Sequence, residues 1–412
     1  MIILSRTIPE KTKEKAVRML NKWVISVLRK GKGAAAMEHA EVLIIGAGPA
    51  GLYAAEAAAI RSAQTVLAGA EKYPPYYRPR LSKMLSAPEQ PEALAIKPKE
   101  WFLSRGISFM PGFNAEKVDP ENRKVFFEDG SAATYGRLIL AAGSHSFIPA
   151  IPGVEKTYAL RSYDDAAAIY SEAIRTGRAV VFGGGLLGLE AAFFLREAGV
   201  EVTVIERSAW LLSRQLPKEG GEFLASYLSR HGLKFVLGAD TEKQQDKTKG
   251  ACVIAAAGVR PNTAFLQGSG VALNAAVVVD EAMRTNLPDI FACGDIAEFH
   301  GKCPGLFPIA MEQGKVAGAN AVGGNETYKE TTPSPMLKIG GLSVFSAGDN
   351  GSGTAFCESA EGAFRSVSVR DNILIGGALI GDVSKAAKLK NAVAGRIPVA
   401  DVKTPGDVLD AL

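Results

Sequence analysis

Two glycine clusters carry the clearest chemistry in this chain. Gly46-Ala47-Gly48-Pro49-Ala50-Gly51 follows a short apolar run and opens an alanine-rich one. In a G-x-G-x-x-G turn between strand and helix, the first glycine permits the tight turn and the second lets backbone approach a pyrophosphate. The third lets helix and strand pack closely, with the phosphates at the positive helix end. Glu71 lies 20 residues past Gly51, at the end of the next apolar run, where a carboxylate can accept from ribose hydroxyls. The pattern returns as Gly183-Gly184-Gly185-Leu186-Leu187-Gly188, with Glu206 18 residues past Gly188. One such turn alone is weak evidence; two, each with its acid, point to two dinucleotides on one chain. A flavin and a nicotinamide are the pair implied, because hydride must pass between them.

Each turn must be held between a strand and a helix. The pattern predicts strand 41–45, helix 49–61 and strand 65–68, then strand 179–182, helix 186–197 and strand 201–205. The leading glycines, Gly46 and Gly183, lie 137 residues apart. Two βαβ units mean two open parallel sheets with helices on both faces. After about residue 321 the pattern changes to strands at 337–339, 343–346, 364–369 and 373–379 and one helix at 384–393. The expected fold is α/β, with two Rossmann-like dinucleotide-binding domains and a small α+β C-terminal domain. The expected boundaries are 37–152 with 262–325 for a discontinuous first domain, 153–261 for the second and 326–412 for the third.

At 412 residues, 47% hydrophobic and 22% charged, the chain has room for more than one core and the composition of a globular protein. Its net charge of +4 is misleading. Residues 1–36 hold nine Lys/Arg and two Asp/Glu, so the remainder is slightly acidic, which argues against a nucleic-acid-binding core. Between 10 and 30, Val17, Leu20, Val24, Val27 and Leu28 share a helical face opposite Arg18, Lys22 and Arg29, a basic amphipathic pattern. The plainer reading is a dispensable extension ahead of Met37. No run of apolar residues is long enough for a transmembrane helix. Four cysteines and four histidines, without C-x-x-C or H-E-x-x-H spacing, give no support for a metal site.

Three further stretches accompany the turns. Leu138–Leu140 runs into Ala141-Ala142-Gly143-Ser144, and 254–257 runs into Gly258-Val259-Arg260-Pro261-Asn262, both as strand-to-loop hinges. Ile290–Ala292 leads through Cys293-Gly294 to Asp295 at a strand end. With Thr285, Pro288 and Asp289 before it, this last stretch resembles the ribityl-binding segment of FAD enzymes. The chain as a whole, from about Glu41 onward, resembles the two-dinucleotide flavoprotein reductases of the glutathione-reductase structural superfamily. More narrowly, Glu71-Lys72-Tyr73, Tyr76-Tyr77-Arg78-Pro79-Arg80-Leu81, Cys252-Val253-Ile254, Asp295–Phe299 and Pro335-Met336-Leu337-Lys338 are similar to the clostridial-type NADH:rubredoxin oxidoreductases.

The resemblance implies FAD on the first turn and NADH on the second, a C-terminal cap beside the flavin, and a small iron redox protein as acceptor, rubredoxin foremost. For FAD it implies Gly46, Gly48, Pro49, Ala50, Gly51, Glu71, Lys72, Arg78, Lys83, Ala115, Ala142, Gly143, Asp295, Phe307 and Lys338. For NADH it implies Gly183, Gly185, Leu187, Gly188, Glu190, Glu206, Arg207 and Gly258. In look-alikes the arginine contacts the FAD pyrophosphate, Lys83 lies beside flavin N5, and Glu190 faces it. A buried Lys83–Glu190 pair is the expected catalytic element, against the plainer reading of a surface lysine and an interface glutamate. Disulfide-reducing relatives carry cysteines near their first turn, but this chain has none before Cys252. Electrons are therefore expected to leave directly from the flavin. Rival readings are an NADH oxidase using oxygen or another small molecule, the reductase module of a larger nitrite reductase, and a non-enzymatic nucleotide-binding scaffold. The expected location is cytoplasmic.

Overall fold

Val42, Leu43 and Ile44 are fully buried in succession, which requires a strand covered on both faces, as in a parallel sheet. The computed structural model describes residues 36–62, 64–240 and 243–412. The basic amphipathic helix read at 10–30 lies outside these residues. Two compact units divide the chain. The first comprises residues up to Tyr77, Gln90–His145 and Pro261–Lys329; the second comprises Arg78–Glu89, Ser146–Arg260 and Glu330–Leu412.

In the first unit, β1 (Ala36–Ile45) runs into α1 (Pro49–Ala58) and β2 (Thr65–Gly69), followed by β3 (Ile107–Pro111), β4 (Ala115–Asp119), β5 (Lys124–Phe127) and β6 (Ala132–Leu140). The strands form one sheet in the order β3-β2-β1-β6-β5-β4, with Ile290–Ala292 added beside β6. The β1, β2, β3, β6 and Ile290–Ala292 pairings are parallel, while β4, β5 and β6 pair antiparallel. Helix Phe307–Ala321 lies against α1 at backbone distance. Gly314 and Gly318, one turn apart, make this possible: a Cβ on either would sit 2.2 Å from the carbonyl oxygen of Ala50 or Ala54.

In the second unit, α2 (Tyr163–Thr176) precedes β7 (Arg178–Phe182), α3 (Leu186–Glu197), β8 (Glu201–Ile205), α4 (Lys218–Arg230), β9 (Lys234–Val236) and β10 (Cys252–Ala255). These strands form a parallel sheet in the order β9-β8-β7-β10. α2 starts at a capping box of Ser162 and Asp165 and ends at Gly177 in the left-handed region. The remaining strands are β11 (Met336–Ile339), β12 (Leu342–Gly348), β13 (Thr354–Ala360), β14 (Ala363–Arg370) and β15 (Ile373–Ile380). They form an antiparallel sheet ordered β11-β12-β15-β14-β13. α5 (Ala386–Ala394) covers it through Leu389, Ala392 and Val393, which meet Phe345, Val367, Leu374 and Leu379.

The α/β class with a small strand-rich C-terminal part is as expected, but several boundaries differ. β1 begins at Ala36, paired with Ala132, and not at 41, so a boundary between 36 and 37 cuts a strand. α1 stops at Ala58 rather than 61. β13 has no counterpart in the sequence reading, because its residues are mostly exposed and lack the alternation that marks a half-buried strand. Helix Pro405–Leu409 is also unforeseen, although Thr404 and Asp407 spell its capping box.

Substituting alanine for a helical glycine ordinarily stabilises a helix by roughly 1 kcal/mol. Here Gly318→Ala should instead destabilise the first unit by about 2 kcal/mol or more, because the added methyl meets a backbone carbonyl that cannot rotate away. A thermal melt showing unchanged or raised stability would refute the backbone-contact argument.

Candidate functional site

At the first glycine turn, β1 ends at Ile45 and the chain reverses over β6. Gly46 adopts φ +109°, and a Cβ there would lie 2.1 Å from the carbonyl oxygen of Ala141. A Cβ on Gly51 would lie 1.8 Å from the carbonyl oxygen of Gly46, so helix and turn touch backbone to backbone. Gly48 is different: nothing lies within 4 Å of the place its Cβ would take. That open space lies at the N-terminus of α1, whose first turn carries no acidic side chain. Unpaired helical N–H groups and the positive end of the dipole face it, the environment an anion needs.

The other proposed residues of the first unit cluster on neighbouring strand ends. Glu71, just past β2, accepts a 2.5 Å hydrogen bond from the Tyr76 hydroxyl and, through its backbone carbonyl, another from Gly112 N–H. Ala115 begins β4 three residues later, and Lys72 is exposed with Nζ over the Tyr73 ring. The carbonyls of Ala142 and Gly143 accept from the Asn262 side chain and backbone. Asp295 sits in a 3-10 turn after Ile290–Ala292 and accepts a 2.7 Å bond from the Ser144 hydroxyl. Gly294 N–H is held by Gln313, which is 1% exposed. Phe307 opens its helix with its ring edge-on to Tyr77 at 4.7 Å.

The second turn repeats this geometry in the second unit. Gly183 adopts φ +121° and abuts Ala256 O, Gly188 abuts Gly183 O, and Gly185 again faces open space. α3 also lacks an acid in its first turn, where Leu187 is exposed. Glu206 at the end of β8 accepts from Gly184 N–H at 2.5 Å and from Ser208 N–H at 2.6 Å, tying the turn to the strand. A carboxylate has about four lone-pair positions, so ribose hydroxyls still have acceptors. Arg207 beside it is exposed, and Gly258, with φ +96°, follows β10. Both turns therefore fit a dinucleotide, on the open space in front of Gly48 and Gly185.

Arg78, Lys83, Glu190 and Lys338 belong to the second unit. The Arg78 guanidinium donates to the Arg161 carbonyl at 2.7 Å. Glu190, on α3, is half-buried, and loss of hydration pushes its carboxyl up to about 7; the Ser82 hydroxyl and the Lys83 charge oppose that rise. Lys83 itself is exposed, which corrects the expectation of a buried Lys–Glu pair: the turn that carries it turns Ser82, Met84 and Leu85 inward and leaves the lysine outside. Lys338 lies on the exposed face of β11.

No thiol among the four has thiolate character. Burial pushes Cys252 and Cys293 up to about 12, and burial with neighbouring carboxylates pushes Cys303 and Cys357 up to about 11. The sequence reading names Ser144 and Asn262 only as hinge residues without a role of their own, and Gln313 and Ser82 not at all. Gln313 had a signal, as a polar side chain on a helix face otherwise lined by Ile309, Ala310, Gly314 and Ala317. The others are short polar residues in loops, where type alone does not separate a turn former from a site residue.

Residues 40–314 match the pyridine nucleotide-disulphide oxidoreductase family, and residues 333–397 match the rubredoxin NAD+ reductase C-terminal domain. The chain is 38% identical over 360 residues to the NADH-rubredoxin oxidoreductase of Clostridium acetobutylicum, covering 87% of this chain and 95% of that protein. It is 31% identical to the ferredoxin–NAD(+) reductase component of the anthranilate 1,2-dioxygenase system of Burkholderia cepacia, over 70% of this chain and 77% of that one. The crystal structure of NADH:rubredoxin oxidoreductase from Clostridium acetobutylicum superposes with a TM-score of 0.86, covering 91% of this chain and all of the other at 36% identity. Paired glycine turns, each set between parallel strands, and a family match across two thirds of its length lead to one conclusion: this chain belongs to the pyridine nucleotide-disulphide oxidoreductase family.

Proposed function

We propose that the chain is an FAD-dependent reductase that takes hydride from NADH and passes single electrons to rubredoxin or a similar small iron redox protein. The observation that carries this reading is the likeness to an NADH-rubredoxin oxidoreductase over nearly the full length of both chains, joined to a C-terminal rubredoxin reductase match. In this reading the turn at Gly46–Gly51 receives the FAD pyrophosphate, Glu71 and Asp295 accept from its ribose and ribityl hydroxyls, and Ala115, Ala142 and Gly143 line the approach. Bound FAD supplies the step from two-electron to one-electron chemistry. The turn at Gly183–Gly188 receives the nicotinamide nucleotide, with Glu206 on its ribose. Lys83 offers a positive charge, and Glu190 is able to hold or release a proton near neutral pH. Arg78, Phe307 and Lys338 complete the set. Among the described residues no helix is long and apolar enough to cross a membrane; the reading locates the protein in the cytoplasm, where free thiols stay reduced.

Anaerobic mixing of NADH-reduced protein with oxidised rubredoxin tests the acceptor: rapid bleaching of the rubredoxin iron–thiolate band is expected. Faster reoxidation by oxygen than by rubredoxin would favour an oxidase instead. NADH should give a higher kcat/KM than NADPH, because Glu206 repels a 2′-phosphate of nearly two negative charges; equal values would remove that role. Since no thiol is set up to react, the Cys303→Ser, Cys357→Ser double variant should reduce rubredoxin within about threefold of the parent rate. A larger loss with FAD retained would mean a thiol takes part.

Glu190 makes a further prediction, on stability. Its carboxyl holds a proton up to about pH 7 when folded but only to the ordinary glutamate value when unfolded. Its contribution is thus present at low pH and lost as pH rises through the folded value. The stability of Glu190→Gln relative to the parent should therefore rise between about pH 4.5 and pH 7 and then level off. A difference that does not change with pH would show an unperturbed carboxyl.

A further inference from the structure

Gln313 lies midway along helix Phe307–Ala321, among Ile309, Ala310, Gly314 and Ala317, all of them buried. An amide is costly in such a place unless it is hydrogen-bonded, and this residue is 1% exposed. Its side-chain oxygen accepts from the Gly294 N–H at 2.8 Å. A backbone N–H can only donate, so the bond also fixes which end of the amide is the oxygen.

What Gln313 holds is the start of a turn that does not cap itself. Strand Ile290–Ala292 runs beside β6, and the Cys293 N–H still bonds to the Leu140 carbonyl at 3.0 Å. At Gly294 the chain leaves the sheet in the left-handed region, with φ +78°, and enters the 3-10 turn Gly294–Ile296 that carries Asp295. Cys293, ahead of the turn, is fully buried and makes no capping bond through its side chain. The first N–H of a helical turn has no partner inside that turn, and here Gln313 supplies one from a different element. The place is crowded. A Cβ on Gly294 would lie 2.7 Å from the Cβ of Ala50, in the first turn of α1, and a Cβ on Gly314 would lie 2.2 Å from the Ala50 carbonyl oxygen. Helix Phe307–Ala321, the Asp295 turn and the start of α1 therefore meet at Ala50, two residues past Gly48. The Asp295 carboxylate is held in addition by the Ser144 hydroxyl at 2.7 Å.

We propose that Gln313 is a positioning residue of the FAD site: by holding the Gly294 N–H it fixes the turn that presents the Asp295 carboxylate to the ribityl hydroxyls. The inference rests on the reading of Asp295 as an FAD-binding residue given above. A carboxylate held in place before the ligand arrives binds more tightly, because its ordering no longer opposes association. Without an acceptor at position 313, the Gly294 N–H is buried and unpaired. The turn then shifts to find another partner, and Asp295 moves with it.

The test is FAD release from the holoenzyme, followed as the rise in flavin fluorescence on serial dilution, which gives a Kd for each variant. Gln313→Met keeps the length of the side chain but removes the oxygen, and should weaken FAD binding about tenfold or more. Asp295→Ala should weaken it at least as much. Adding Gln313→Met to Asp295→Ala should then cost less than about threefold further, because a residue that acts through another has nothing left to act on. A merely structural role for Gln313 gives the full loss in both backgrounds, and that outcome overturns the proposal, as does parent-like affinity in Gln313→Met. Gln313→Glu retains an acceptor oxygen and, at about pH 6, stays neutral through burial. Should Gln313→Met not fold, Gln313→Glu decides alone: affinity within about threefold of the parent supports the proposal, and a loss of about tenfold overturns it. Parent-like affinity in Asp295→Ala has a separate meaning. The reading of Asp295 as an FAD ligand then fails, and the route from Gln313 through Asp295 fails with it.

Discussion

A helix end left open toward solvent by contact between backbones is the constraint on which both nucleotide turns depend. At Gly46 and Gly51, and again at Gly183 and Gly188, the missing Cβ lets a carbonyl sit where a side chain would otherwise be. The helix can then start directly above the sheet, with its first N–H groups unpaired. Any side chain at these positions would lift the helix and close the space in front of Gly48 or Gly185. Both helices also lack acids in their first turn, whereas α2 carries Asp164 and Asp165 in its own. The dipole that α2 satisfies with its own carboxylates is thus left available at the two turns for an external anion.

Around each turn the acidic residues have dual loyalties. Glu206 is tied by Gly184 and Ser208, Glu71 by Tyr76, and Asp295 by Ser144. Such bonds fix each carboxylate at a strand end while leaving acceptor positions for a ligand. The bonds of Glu206 also hold the second glycine turn in shape, so a substitution there alters that turn itself. Glu190 is the exception. It lies on a helix in a less polar setting, and burial pushes its carboxyl up to about 7. A group that can change charge at neutral pH is of use in a reaction that moves hydride and then electrons singly.

What the sequence by itself determined is the local chemistry. A glycine needed for positive φ or for backbone contact cannot be replaced by another residue type, so its position in the chain is its own evidence. The strands leading into the turns are continuous apolar runs, because both of their faces are covered, and the acids stand at fixed distances beyond. The family resemblance rested on these same features. The C-terminal sheet was legible where strands alternate and illegible at β13, whose exposed edge position imposes no pattern.

Only the tertiary structure decided which side chains lose water and which face one another. Lys83 and Ser82 are adjacent in sequence, yet the lysine is exposed and the serine buried, because the turn that carries them is pinned to α2 and α3. Lys385, just ahead of α5, has its Nζ bound to the Leu409 carbonyl and the Asp410 carboxylate, far along the chain. Nothing in residue type or spacing distinguishes these cases. Hydration is lost to neighbours brought from distant parts of the chain, and the proton affinity of Glu190 is set by that loss, by Ser82 and by Lys83 together.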